Sequence, residues 1–237
     1  KAYLADGYAG LKIIDISESS SPSLIASLDT DGNTQSVSLS NDGTKAYLAD
    51  GYAGLKIIDI SESSSPSLIA SLDTDGNTQS VSLSNDGTKA YMADGYKGLK
   101  IIDTSEPSSP KLLASLDTDG YAQGVSLSND GTKVYMADFD AGLKVIDISE
   151  PSSPSLIASL DTDGNTQSVS LSNDGTKAYL ADGYAGLKII DISEPSSPSL
   201  LASFKTRGDV RSVSLSNDGL KAYVGGNSNL EVIRIDF

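Results

Sequence analysis

The chain has 237 residues, 17 lysines and arginines against 32 acids, and a formal charge of −15. Such a surface repels nucleic acid and anionic membranes, so no nucleic-acid or membrane partner is expected, while it attracts cations. With no cysteine and no histidine there is no disulfide framework, no thiolate metal site and no Ser-His-Asp or Cys-His catalytic arrangement. No apolar run approaches the roughly 18 residues of a membrane span, so direct membrane insertion is not expected.

Lys1 opens directly onto a strand-like segment rather than a signal peptide. The numbering is therefore expected to start inside a longer precursor, or at an engineered or proteolytic end. The first strand is expected at Lys1–Ala5, KAYLA, ending in the hairpin signal Asp6-Gly7. Leu11–Ile16, LKIIDI, is rich in β-branched residues and is the second strand. The Ser/Pro-rich turn SESSSPS leads to a third, Ser23–Leu28. The loop DTDGNT then precedes a fourth, Gln35–Ser40, and Asn41-Asp42-Gly43 turns into the next KAYLA. No segment carries a helical apolar period of useful length.

The pattern then repeats. Lys-Ala-Tyr recurs at Lys45, Lys89, Lys177 and Lys221, and Lys-Val-Tyr at Lys133, always 44 residues or a multiple of 44 apart. The units are 1–44, 45–88, 89–132, 133–176, 177–220 and a partial 221–237, taken together as one domain over 1–237. A fixed period of this size means a propeller, a solenoid or another array. Four short strands per unit, with tight alternating turns, favour an all-β propeller of four-stranded blades over a solenoid. By analogy with other propellers, QSVSLS is innermost, KAYLA second, LKIIDI third and SLIASL outermost. The chain then starts with strands two to four of one blade and ends with strands one to three of another: 22 strands, read as six blades with the first and last incomplete. A fragment of a larger ring is the alternative.

The strand LKIIDIS (Leu11–Ser17, Leu55–Ser61, Leu187–Ser193) and its variant LKVIDIS (Leu143–Ser149) resemble the signature of the LVIVD repeat family. The neighbouring YLADGYAGL and SPSLIASLDT resemble it too, so the resemblance covers essentially the whole chain. It implies propeller blades in bacterial and archaeal cell-surface proteins, an extracellular or cell-surface location, and no catalytic residues. Arg234 stands where the other units carry Asp.

Alternating strand directions put the DTDGNTQ loop and the DGYAG hairpin on one face, with SNDGT and SESSSPS on the other. The first face gathers Asp29, Asp31, Asp73, Asp75, Asp117, Asp119, Asp161 and Asp163. Two readings stay open. Carboxylates in flexible loops suit a hard cation, which makes Ca²⁺ the candidate cofactor. Asp, Asn and Gly are also what tight turns require. DTDGN departs from an EF-hand loop, because the twelfth position from Asp29 is Ser40.

The same face presents Tyr8, Tyr52, Tyr96, Tyr121, Phe139 and Tyr184, which either bind a protein or surface glycan or shield the blade end. The fifth unit replaces LDTDGNTQS with FKTRGDVRS, whose Lys205, Arg207 and Arg211 form a basic patch and whose Arg207-Gly208-Asp209 spells an integrin-type tripeptide. No phosphate-binding Gly-rich loop with its lysine is present. Near-identical units offer few unique residues for catalysis. The expectation is a non-enzymatic interaction or adhesion scaffold, with a calcium- or glycan-binding propeller or a structural spacer as alternatives.

Overall fold

The computed structural model describes every residue except Ser228, Asp236 and Phe237. It contains 22 strands, and no helix among the described residues. They divide into two compact units, Lys1–Asp117 and Thr118–Phe237.

The first unit holds three antiparallel sheets. Sheet 1 is β1 (Ala2–Ala5), β2 (Leu11–Asp15) and β3 (Ser23–Leu28). Sheet 2 is β4 (Ser36–Leu39), β5 (Lys45–Ala49), β6 (Leu55–Asp59) and β7 (Ser67–Leu72). Sheet 3 is β8 (Ser80–Leu83), β9 (Lys89–Ala93), β10 (Leu99–Asp103) and β11 (Lys111–Leu116).

The second unit also holds three. Sheet 4 is β12 (Gly124–Leu127), β13 (Lys133–Ala137), β14 (Leu143–Asp147) and β15 (Ser155–Leu160). Sheet 5 is β16 (Ser168–Leu171), β17 (Lys177–Ala181), β18 (Leu187–Asp191) and β19 (Ser199–Phe204). Sheet 6 is β20 (Val210–Leu215), β21 (Lys221–Gly226) and β22 (Leu230–Arg234).

These are six propeller blades, four complete and the two terminal ones three-stranded. The order within each blade follows the sequence reading. The QSVSLS strands of neighbouring blades lie against one another, β4 against β8 and β12 against β16, as innermost strands must. The SLIASL strand is the free outer edge. Its pairing with the third strand carries a bulge, as where Ile57 pairs with Ala70 and Ile58 with Leu68. That extra residue lets Ile69 turn toward the core while Leu68 stays in solvent.

Within each unit the middle blade, sheet 2 or sheet 5, is covered on both faces, so its middle strands are apolar on both. Tyr47, Leu55 and Ile57 of sheet 2 pack on Val81, Ala90, Met92 and Ile102 of sheet 3. In the second unit Tyr179, Leu187 and Ile189 pack on Val213, Ala222, Val224 and Ile235. Lysine is the exception to this pattern: Lys56, Lys100, Lys144 and Lys188 all lie buried in the third strands.

Candidate functional site

The two loop types expected to share a face do so. The backbone of Thr34, in the loop between sheets 1 and 2, exchanges two hydrogen bonds with Gly7 in the sheet 1 hairpin. The same bridge recurs as Gly51 with Thr78, Phe139 with Thr166 and Gly183 with Val210. The loop also docks on the hairpin of the blade it enters. Asp50 Oδ1 accepts hydroxyls from Thr30 at 2.8 Å and Thr34 at 2.6 Å. Asp182 repeats this with Thr162 and Thr166. Asp94 keeps Thr74, and Asp138 keeps Thr118 plus the N–H of Gly120.

Thus the buried carboxylates of this face are the hairpin aspartates, which stitch loop to blade. Burial pushes the Asp94 carboxyl up to about 6, against the pull of the Thr74 hydroxyl and the Lys100 ammonium. Burial likewise raises Asp138.

All eight loop aspartates singled out as cation ligands, Asp29, Asp31, Asp73, Asp75, Asp117, Asp119, Asp161 and Asp163, are exposed. Three of them face lysine ammoniums that the sequence reading missed: Asp31 with Lys56 at 3.4 Å, Asp119 with Lys144 at 3.7 Å and Asp163 with Lys188 at 3.2 Å. Asp73 instead caps the N–H of Asp75. Among the described residues, no three acidic side chains converge into a group that could hold a metal.

Of the six aromatics, Tyr8, Tyr52, Tyr96 and Tyr184 stand far out into solvent. Tyr121, at the position of Asn33, is half-buried. Phe139 is not their equivalent: it occupies the hairpin glycine position with φ 50°, and Asp140 takes the tyrosine position.

The fifth unit's loop is tied to the segments on either side of it. Asp209 accepts from Gln167 Nε2, Arg211 Nε and Asn227 Nδ2, and its side chain is 11% exposed. The acid of the integrin-type tripeptide is therefore engaged between sheets 5 and 6. Lys205, at the position of Asp29, lines a cleft of about 600 Å³ with Asp163, Gly164, Asn165, Tyr184, Ala185, Lys188 and Ser203. A second hollow of about 370 Å³, lined by Tyr184, Arg207, Gly208, Asp209, Asn227 and Asn229, shares Tyr184 with it.

The larger cleft is chemically mixed. It holds a carboxylate paired to one ammonium, a second ammonium, an amide and an exposed phenol ring.

The model of the LVIVD repeat matches five times, at 2–30, 31–74, 75–118, 119–162 and 163–206. The chain belongs to the LVIVD repeat family. No curated protein matches it. Solved structures share the fold of this LVIVD chain at low identity. A candidate 6-phosphogluconolactonase from Bacteroides uniformis is 14% identical with TM-score 0.84, over 99% of this chain and 78% of that one. The periplasmic gluconolactonase of Pseudomonas aeruginosa is 15% identical with TM-score 0.83, over 99% and 77%. The Cps50 β-propeller domain of Myceliophteria thermophila is 15% identical with TM-score 0.73, over 98% and 79%.

These neighbours correct two expectations, that the LVIVD chain is a non-enzymatic adhesion or interaction scaffold and that it is no enzyme. Proteins named as lactonases carry this propeller fold, and nothing found supports adhesion. Missing histidine and cysteine do not exclude ester hydrolysis, which needs only a base for water and a cation for the oxyanion. Nor are the repeats uniform, because the fifth unit gives one cleft a lysine that the earlier loops lack.

Proposed function

We propose that the chain hydrolyses sugar lactones in the cleft lined by Asp163, Tyr184, Lys188 and Lys205, and works outside the cytoplasm, secreted or at the cell surface. The observation that carries the reading is the pairing, in one cleft, of the Asp163 carboxylate with the Lys188 ammonium 3.2 Å away and Lys205 beside them. Fold likeness to gluconolactonases supports the substrate class, and the periplasmic neighbour supports the location. Fold alone does not carry function, so the cleft bears the weight.

The chemistry is a water addition. Asp163 takes a proton from water as the oxygen attacks the lactone carbonyl carbon. The carbonyl oxygen becomes an oxyanion, held by the ammoniums of Lys188 and Lys205. The carbonyl–ring-oxygen bond then breaks, and the ring oxygen leaves with the proton passed on from Asp163. The product is the open hydroxy acid, which ionises and releases one proton to solvent. The Tyr184 ring offers an apolar face to the sugar ring, and the Asn165 amide offers a donor and an acceptor to its hydroxyls.

The test is a pH-stat assay of glucono-δ-lactone opening, with the spontaneous rate subtracted. Asp163→Asn is expected to lower kcat/KM by roughly 100-fold or more, the scale of a lost general base. A wild-type rate no faster than the spontaneous one, across neutral and phosphorylated lactones, would overturn the reading.

A further inference from the structure

The junction of sheets 5 and 6 inverts the charge pair that earlier blades repeat. In sheet 5 the loop residue Asp163 faces Lys188, whose partner on the neighbouring strand is Leu180. In sheet 6 the same strand position, opposite Val224, is held by Glu231. The loop position that carries Asp163 on entering sheet 5 carries Arg207 on entering sheet 6. Both members have changed sign together.

The inverted pair does not close as the others do. Glu231 Oε1 accepts the backbone N–H of Arg207 at 2.6 Å and the Asn229 amide at 2.9 Å. Asn229 Nδ2 also donates to the Arg207 carbonyl at 2.7 Å. The acid thus holds the backbone of Arg207 and leaves its side chain alone. Among the described residues neither the Arg207 guanidinium nor the Lys205 ammonium has an ion-pair partner. The other acid here, Asp209, is taken by Arg211 at 3.1 Å and by the amides of Gln167 and Asn227.

Arg207 lines the hollow of about 370 Å³ that shares Tyr184 with the proposed catalytic cleft. Beside it, nothing lies within 4 Å of where a Cβ on Gly208 would stand, so that wall is open to a ligand. Lys188, Lys205, Arg207 and Arg211 stand here against Asp163, Asp209 and Glu231, a local excess of positive charge on a chain of −15. A planar guanidinium grips a carboxylate or a phosphate with two parallel hydrogen bonds, and a neutral hydroxyl offers it no such match.

We propose that this hollow is a subsite for an anionic substituent of the sugar, a carboxylate or a phosphate, and that Arg207 selects acidic sugar lactones over neutral ones. The proposal rests on the lactonase reading for where the ring lies: across Tyr184, with the reacting carbonyl toward Lys188 and Lys205 and the charged end toward Arg207. Arg207 touches no reacting atom, so it acts on KM rather than on kcat.

Glucose, glucuronate and glucose 6-phosphate test this without hydrolysis, since they differ only in the exocyclic group: a hydroxymethyl, a carboxylate or a phosphomonoester. In NMR titrations of the wild-type chain, at least one of the two anions is expected to bind about 10-fold or more tighter than glucose, the scale of a hydrogen bond to a charged group. Whichever gains more identifies the substituent. Arg207 is exposed, so its replacement should leave the fold intact. Arg207→Gln is expected to remove the advantage and Arg207→Lys to keep part of it. In the pH-stat assay, Arg207→Gln should lower the ratio of kcat/KM for the lactone bearing that anion over glucono-δ-lactone by the same factor, through KM. An advantage for neither anion, or one that survives Arg207→Gln, would overturn the proposal. The two readings fail separately. Lactone opening with no preference for an anionic substrate keeps the hydrolase and removes the subsite, whereas Arg207-dependent binding of the anionic sugars without lactone opening does the reverse.

Discussion

Thr34 donates its hydroxyl to Asp50 at 2.6 Å while its backbone is bridged to Gly7. One residue thereby ties the hairpin of sheet 1 to the hairpin of sheet 2, which makes the blade junction a polar joint under an apolar core. Thr34→Val keeps the shape and removes one donor from a buried carboxylate. It is expected to cost about 1–3 kcal/mol in urea unfolding. Asp50→Ala takes the shared acceptor from the Thr30 and Thr34 hydroxyls, leaving them only each other at 3.0 Å, and should cost at least as much. At sheet 3 the geometry differs, because Thr78 gives its hydroxyl to the carbonyls of Gly51 and Gly54 rather than to Asp94. A double-mutant cycle should therefore show coupling for Thr34 with Asp50 and much less for Thr78 with Asp94.

Gly54 and Gly87 both have φ 71°, yet only one is crowded. A Cβ at Gly54 would overlap the carbonyl oxygen of Leu72, a backbone atom that cannot swing away, whereas at Gly87 nothing lies within 4 Å. Gly87→Ala is expected to cost only the left-handed strain, about 1–2 kcal/mol. Gly54→Ala adds the overlap and should cost clearly more. Equal midpoint shifts in urea would mean that the hairpin backbone yields.

Stability should depend on pH in two opposed windows. The Asp94 carboxyl rises from 3.8 to about 6 through burial. Between those values the native state binds more protons than the unfolded chain, so stability falls as pH rises. Asp86, Asp130 and Asp174 are held down to about 2, chiefly by the serine hydroxyls of Ser84, Ser128 and Ser172. Their contribution is present above 3.8 and is lost as pH falls through about 2. Melting temperature is therefore expected to peak near pH 4. Asp94→Asn should flatten the slope between pH 4 and 6 and leave the acid limb unchanged.

The blades were legible because burial on both faces forces apolar third strands, and because the 44-residue period fixes every turn. The shared face followed from strand alternation alone. The hairpin aspartates were visible only as turn formers, since Asp-Gly predicts a hairpin and says nothing of the hydroxyls that reach it from Thr30 and Thr34. A signal was available in the repeat itself: where unit three changes Thr34's equivalent to Ala122, Asp138 takes the Gly120 N–H. Burial at a given repeat position was not legible. Tyr179 and Tyr223 hold the same place in the repeat, yet Tyr179 is buried and Tyr223 is 38% exposed. What differs is the presence of a neighbouring blade.

The lysine–aspartate pairs decide what calcium should do. Lys56 is 7% exposed at its side chain and Asp31 is 89% exposed, so the ammonium bears the desolvation and the carboxylate stays hydrated. An exposed partner contributes about 0–1 kcal/mol, so Asp31→Asn should shift stability by no more than that. Lys56→Met removes a buried charge without stranding its solvated partner, and is expected to be neutral or stabilising. Among the described residues, Asp31 joins no group of three acidic side chains that could hold a cation. Millimolar calcium is thus expected to leave the melting temperature where a chelator leaves it, since only a ligand of the native state raises it. A calcium-dependent rise that vanishes in Asp29→Asn would show instead that the loops rearrange around the ion and that the lysine pairs give way to it.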